Sequence, residues 1–131
     1  LEWHLERRKS VGYETNFHFE VTDPDAIIIR ARETGCRLLL FYVGLPSVWE
    51  CKRRVQDRVE KGGHYVPFRV IENRFEKGLQ NLRTYFASFD LLEIYDNSDK
   101  EIRLLIIAQK GTIYYQEENL PAWVKHIAHS K

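Results

Sequence analysis

The sequence predicts an α/β fold with a parallel-stranded sheet flanked by helices, and three observations carry that prediction. Up to residue 95, helix-patterned segments alternate with apolar runs of strand length, the order that builds a parallel sheet covered by helices. Leu38 to Val43 (Leu-Leu-Leu-Phe-Tyr-Val) is a short continuous apolar run, which fits a strand buried on both faces. Beyond residue 95 the pattern changes to a small hairpin, with Lys110-Gly111 as its turn.

Taken in order, Leu1 to Lys9 reads as the end of a helix marked by Trp3 and Leu5. Val11, Tyr13, Thr15, Phe17 and Phe19 alternate as in a strand running into a loop. Asp23-Pro24 starts a helix, Asp as cap and Pro at the first helical position. Ile27 to Glu33 continues it, and Gly35 ends it with the left-handed residue that helix termini favour. After the strand at Leu38, Ser47-Val-Trp-Glu50 is a capping box, announcing a helix whose arginines reach Arg58. Gly62-Gly63 stops that helix. Pro67 starts another, with Val70, Ile71, Phe75, Leu79, Leu82 and Phe86 at helical spacing. Leu91 to Tyr95 and Ile102 to Ala108 read as strands around an Asp96-Asn97-Ser98 turn. Thr112 to Tyr115 completes the hairpin, and Pro121 to His129 reads as a final short helix. No internal repeat or low-complexity linker interrupts the chain.

The 131 residues fit one domain, or one complete part of a larger one. Hydrophobic residues make up 44%, with 3 Trp, 7 Tyr and 7 Phe, enough apolar material for a core. Twenty Lys and Arg nearly cancel 19 Asp and Glu. A net charge of +1 gives no whole-chain reason to expect nucleic acid or an anionic membrane as partner, so anion chemistry must come from local clusters. Cys36 and Cys51 lie in apolar-patterned segments without a second pair for a zinc site, and each reads as a buried free thiol. No run approaches a membrane span and no signal-peptide pattern opens the chain, which suggests a cytoplasmic protein. The chain has no methionine and begins at Leu1, from which an upstream segment is expected.

The stretch Arg53 to Arg74 is the most informative for chemistry. Arg54 and Arg58 are four apart and share a helix face. The double glycine breaks the helix, and the next helix presents Arg74. Two antiparallel helices joined by a Gly-Gly loop would bring arginines from both onto one anion, for which the planar guanidinium fork is suited. Composition alone favours a solvated charged hairpin, with acids interspersed among the bases.

The ordered pattern R-V-x-x-R-V-x-x-G-G-H-x-V-P, then I-x-x-R-F-x-x-G-L-x-N-L and Y-D-N-S, resembles the lid region of zeta-toxin-type P-loop kinases, a group overlapping predicted ABC-type ATPases. It is carried by Arg54-Val55, Arg58-Val59, Gly62-Gly63-His64, Val66-Pro67, Ile71, Arg74-Phe75, Gly78-Leu79, Asn81-Leu82 and Tyr95-Asp96-Asn97-Ser98. Upstream, Tyr13-Glu14-Thr15-Asn16 resembles the family's Glu-Thr motif, so the resemblance covers roughly residues 10 to 100. It implies a P-loop kinase-like sheet with a helical lid hairpin over about residues 47–89 in a single unit, 1–131. It implies ATP or GTP with Mg2+ as phosphoryl donor, and a small-molecule acceptor such as a nucleotide sugar. Arg58 and Arg74 match the catalytic lid arginines at the donor phosphates, Arg54 being a second choice for nucleotide binding. Glu14, Thr15 and Asn16 match the acceptor-binding segment, and Asn97 a nucleotide base-side contact. A restraining antitoxin is a further implication of the resemblance.

Each of these has a plainer reading. Glu14 also fits a solvated strand-end carboxylate, His64 a loop pin, Asp96-Asn97-Ser98 a tight turn whose side chains bond their own backbone, and Trp49 and Trp123 packing. His126 and His129 lack a third ligand for a metal site.

The sequence also departs from the family. No G-x-x-x-x-G-K-[ST] occurs among the glycines at 12, 35, 44, 62, 63, 78 and 111. The first strand, the phosphate-binding loop and the family's catalytic base are therefore not in this chain, and turnover by it alone is not expected. A sheet lacking its first strand would expose an edge and an apolar face, predicting homodimerisation, pairing with an N-terminal segment, or low stability. A degenerate nucleotide- or partner-binding module without catalysis is the alternative reading.

Overall fold

The structure, a computed structural model, describes residues 24–98 and 101–128. Expectations for Leu1 to Lys9, for Val11 to Phe19 with Glu14, Thr15 and Asn16, and for Asp23 fall outside these residues. Helix α1 spans Pro24–Glu33. Gly35 ends it at φ +76°, the Gly35 amide donating to Arg32 O (3.1 Å) and the Cys36 amide to Ala31 O (2.9 Å). This paired bonding satisfies carbonyls that a helix end otherwise leaves open. Strand β1 spans Leu39–Gly44.

Helix α2 spans Val48–Glu60 with Ser47 as its cap. The capping box is half formed: Ser47 Oγ accepts from the Glu50 amide at 3.2 Å, while the Glu50 carboxylate turns to Arg53 and Arg54 instead. Gly62 closes the helix at φ +92°, and the Gly62 and Gly63 amides donate to Val59 O and Arg58 O. Helix α3 spans Phe68–Thr84, with Pro67 as its N-cap rather than its first residue. It buries Ile71, Gly78 and Leu82, and a 3-10 turn at Phe86–Ser88 follows. Strands β2 (Leu91–Asp96), β3 (Arg103–Gln109) and β4 (Thr112–Gln116) then precede helix α4, Ala122–Ala128.

The four strands form one open sheet in the order β1-β2-β3-β4. Only β1 and β2 are parallel; β2, β3 and β4 are antiparallel. The expected parallel sheet is thus a mixed one, which the C-terminal hairpin extends. Strand β3 returns antiparallel beside β2, from Asp96↔Arg103 to Leu92↔Ala108. At the hairpin tip, Lys110 and Gly111 take φ of +48° and +85°, the positive pair that matches a two-residue turn to strand twist.

Leu82, Phe86, Phe89, Leu92, Ile94, Leu105, Ile106, Ala108, Val124 and Ile127 form the core. The last turns of α3, the 3-10 turn and α4 therefore cover one face of the sheet. On β1, Leu40 and Tyr42 pack against that core, but Leu39, Phe41 and Val43 are 49%, 56% and 49% exposed. The expectation that β1 is buried on both faces is corrected. A continuous apolar run shows that both faces tolerate burial, whereas cover depends on what packs there. Among the described residues, β1 is an end strand of the sheet. The row Phe41, Glu93, Ile107 and Tyr115 crosses all four strands on this less-covered side.

The two helices between β1 and β2 are not the antiparallel hairpin that the Gly-Gly signal suggested. Trp49, in the first turn of α2, stacks on Phe68, in the first turn of α3, with ring centroids 5.4 Å apart. An antiparallel pair would set the first turn of one helix beside the last turn of the other. Helix α2 is roughly 20 Å long at 1.5 Å per residue. The connecting residues 61–67 can span about 23 Å when extended, enough to return along α2 before α3 begins.

Candidate functional site at the carboxyl end of the parallel pair

Ligands of open α/β sheets bind beyond the carboxyl ends of parallel strands. Here those ends are Gly44 of β1 and Asp96 of β2, which are register partners. The Asn97 amide donates to Gly44 O at 2.9 Å, tying the two strand ends together.

Asp96 is a buried acid, 3% exposed. Its Oδ1 accepts from the Ser98 amide at 2.6 Å and from the Ser98 hydroxyl. Its Oδ2 accepts from Trp123 Nε1 at 3.1 Å. Burial pushes this carboxyl up, but the Ser98 hydroxyl and amide, the Trp123 indole and Arg103 together hold it below the ordinary aspartate value. The tight-turn reading of Asp96-Asn97-Ser98 is therefore correct, and the turn is also anchored from α4. Trp123 lies directly over Gly44, where an added Cβ would overlap its ring. Tyr42 tilts against the same indole at 6.1 Å, and burial followed by the nearby Cys51 thiol pushes its phenol up to about 12.

The predicted arginines are placed unequally. Arg54 is half-buried: Nη2 donates to Asn97 O at 2.5 Å, and Nε donates to Glu50 Oε1 at 3.3 Å. Two residues singled out separately, Arg54 and Asn97, thus touch each other, through the asparagine backbone and not its amide side chain. Arg53 engages Glu50 and Asp57 on the outer surface, and the Arg53 hydrogen bond, with further help from Arg54, holds the Glu50 carboxyl below its ordinary range. Arg58 is exposed, and its carbonyl accepts the glycine stop. Arg74, on α3, is half-buried, and its Nε is buried without a hydrogen-bond partner. No shared hydrogen-bond or ion-pair partner joins Arg54, Arg58 and Arg74 among the described residues.

His64 is exposed, and among the described residues no side-chain hydrogen bond ties it to its loop. Cys36 and Cys51 are free thiols, half-buried instead of buried. Among the described residues no group of three or more His, Cys, Asp or Glu converges as a metal site, and no helix is long and apolar enough to cross a membrane.

Sequence reasoning missed the Gly44–Trp123–Asp96 constellation. A signal was present, since a buried indole N–H needs an acceptor and an acid at a strand end is a candidate. Nothing in linear order joins residues 44, 96 and 123. In comparisons with known proteins, no family model, no curated protein and no solved structure matches this chain.

Proposed function

We propose that this chain is the lid-bearing, acceptor-side part of a phosphotransferase of the zeta-toxin kind, which moves the terminal phosphoryl group of ATP or GTP to a small metabolite such as a nucleotide sugar. The observation that carries the reading is Arg74. Its Nε is buried and unpartnered, a costly arrangement for a charged donor that an incoming anion would relieve. Arg58 adds an exposed cation from the neighbouring helix.

In this reading Arg58 and Arg74 take up charge that spreads over the transferring group, the chief protein contribution to phosphoryl transfer. The guanidinium donors fit phosphate oxygens. Magnesium, when bound with the nucleotide, would neutralise the donor phosphates; the described residues provide no acid cluster to hold it independently. Glu14, Thr15 and Asn16 would hydrogen-bond the acceptor's hydroxyl or amide groups. A phosphate-binding loop would come from an N-terminal segment, and an antitoxin would act on the assembled enzyme.

A second reading is favoured by one observation: no G-x-x-x-x-G-K-[ST] occurs in the 131 residues. That supports binding without turnover by this chain. Thermal-shift titration of the purified chain with Mg-ATP, Mg-GTP and inorganic tripolyphosphate tests the anion site, because a ligand that binds only the folded state raises the midpoint. A rise lost in both Arg74→Ala and Arg58→Ala is expected. No rise at millimolar ligand, or one that persists in the double variant, would rule out these arginines as a phosphate site. Nucleotide hydrolysis by this chain alone, abolished by Arg74→Ala, would overturn the expectation that it needs a separate loop.

A further inference from the structure

We infer that Arg54 is a latch and not an anion ligand: it fastens α2, as a detachable arm, to the loop that follows β2. Helix α2 runs for 13 residues and buries none of them. Its inner side offers only half-buried groups, among them Cys51, Arg54, Val55 and Val59. A helix held in this way gives up little apolar contact when it leaves, so packing alone does not fix its position.

Among the described residues, two contacts hold it. The first is Arg54 Nη2 to Asn97 O, 2.5 Å long and oriented by the Nε contact with Glu50. The second is the Trp49–Phe68 stack, with the Lys52 ammonium 4.5 Å from the Phe68 ring centroid and 5.4 Å from that of Trp49. Trp49 is nevertheless 65% exposed, so this clasp sits at the surface.

The far side of the latch is tied to the strand ends. The Asn97 amide is held by Gly44 O, and the adjoining Asp96 is buried and bonded by Ser98 and Trp123. Opening α2 therefore moves the arm and leaves the strand ends in place. The arm also has its pivots. Pro46 and Ser47 lie before it, and Gly62 follows at a φ of +92° that a residue with a side chain rarely adopts. A guanidinium bound to one backbone carbonyl is a connection that a single substitution removes.

Hydrogen–deuterium exchange of the full 131-residue chain, read by mass spectrometry without ligand, tests the inference independently of any phosphate site. In the unsubstituted chain, amides of residues 52–60 should exchange faster than those of β2 and β3. Arg54→Met should speed exchange across 52–60 by about tenfold, the loss expected for one hydrogen bond made by a charged group, with β2 and β3 unchanged. Arg54→Lys, which keeps one donor, should fall between. Trp49→Ala, acting at the second clasp, should speed the same residues. Unchanged exchange of 52–60 in Arg54→Met would overturn the latch. An equal rise in 52–60 and the strands in either variant would overturn the arm, because α2 would then open only with the sheet.

Discussion

The sheet centre and α2 are both regular and amphipathic, yet they are held by different forces. Strands β2 and β3 place Leu92, Ile94, Leu105, Ile106 and Ala108 at 0% exposure beneath Leu82, Val124 and Ile127. Helix α2 fully buries nothing and rests on a guanidinium, a ring stack and half-buried thiol and valine groups. Apolar burial is non-directional and sums over many atoms, so the sheet centre tolerates small shifts but not lost volume. The arm depends on a few directional contacts, so it should be sensitive to single polar changes and indifferent to lost methyl groups. Stability in this molecule is therefore concentrated on one side of the carboxyl edge, and freedom to move on the other.

Substitutions at the two regions can break this contrast. Leu92→Ala should cost about 3 kcal/mol in urea unfolding, through lost transfer energy and the cavity left behind; a loss below about 1 kcal/mol would show that the sheet centre is not the stable unit. Next in size is Gly44→Ala, whose methyl would overlap the Trp123 ring. Displacing that ring from Asp96 should cost about 1–3 kcal/mol, within the range for overpacking, and unfolding of Gly44→Ala beside Trp123→Ala would show whether the two effects share this cause.

A smaller effect should come from Asp96, and its sign follows from linkage. Its folded carboxyl titrates below the ordinary value of 3.8, so the unfolded chain takes up the proton first as pH falls. The stabilisation is complete above that value and is lost progressively as pH falls below it toward the folded value. Asp96→Asn should unfold with a shallower acid limb, and an unchanged limb would remove Asp96 from the anchoring of the loop. The smallest change is expected for Val59→Ala on the arm, half-buried. It should lower stability by less than about 1 kcal/mol, since little apolar area is lost. A cost near that of Leu92→Ala would erase the distinction between the regions.

The local signals that the sequence carried well are those written into short stretches of backbone chemistry. Gly35 and Gly62 end helices because a positive φ is required there. Ser47 caps α2 because its hydroxyl meets an open amide three residues on, and Lys110-Gly111 turns because its twist matches the strands. Ile71, Leu82 and Phe86 were identifiable as core from their helical spacing. The apolar run at Leu38 was legible as a strand but not as a half-covered edge. Arg54 stood out as one of several arginines, yet its partner, a backbone carbonyl 43 residues away, leaves no mark in composition or spacing. Glu50 matched a capping box, but its carboxylate found two stronger cationic partners in Arg53 and Arg54.

By itself, then, the sequence determined the α/β alternation, the order of the described helices, the glycine stops after α1 and α2, the hairpin turn and many apolar positions of the core, because propensity, capping and turn geometry act over a few residues. Tertiary structure alone decided that the sheet is mixed, that α2 and α3 meet at their first turns, and that Trp123 closes over Gly44 onto Asp96. It also decided that Arg54 is engaged while the Nε of Arg74 is left without an acceptor. Those outcomes depend on which distant groups share a volume, and burial and directional hydrogen bonding select among them only once the chain has closed on itself.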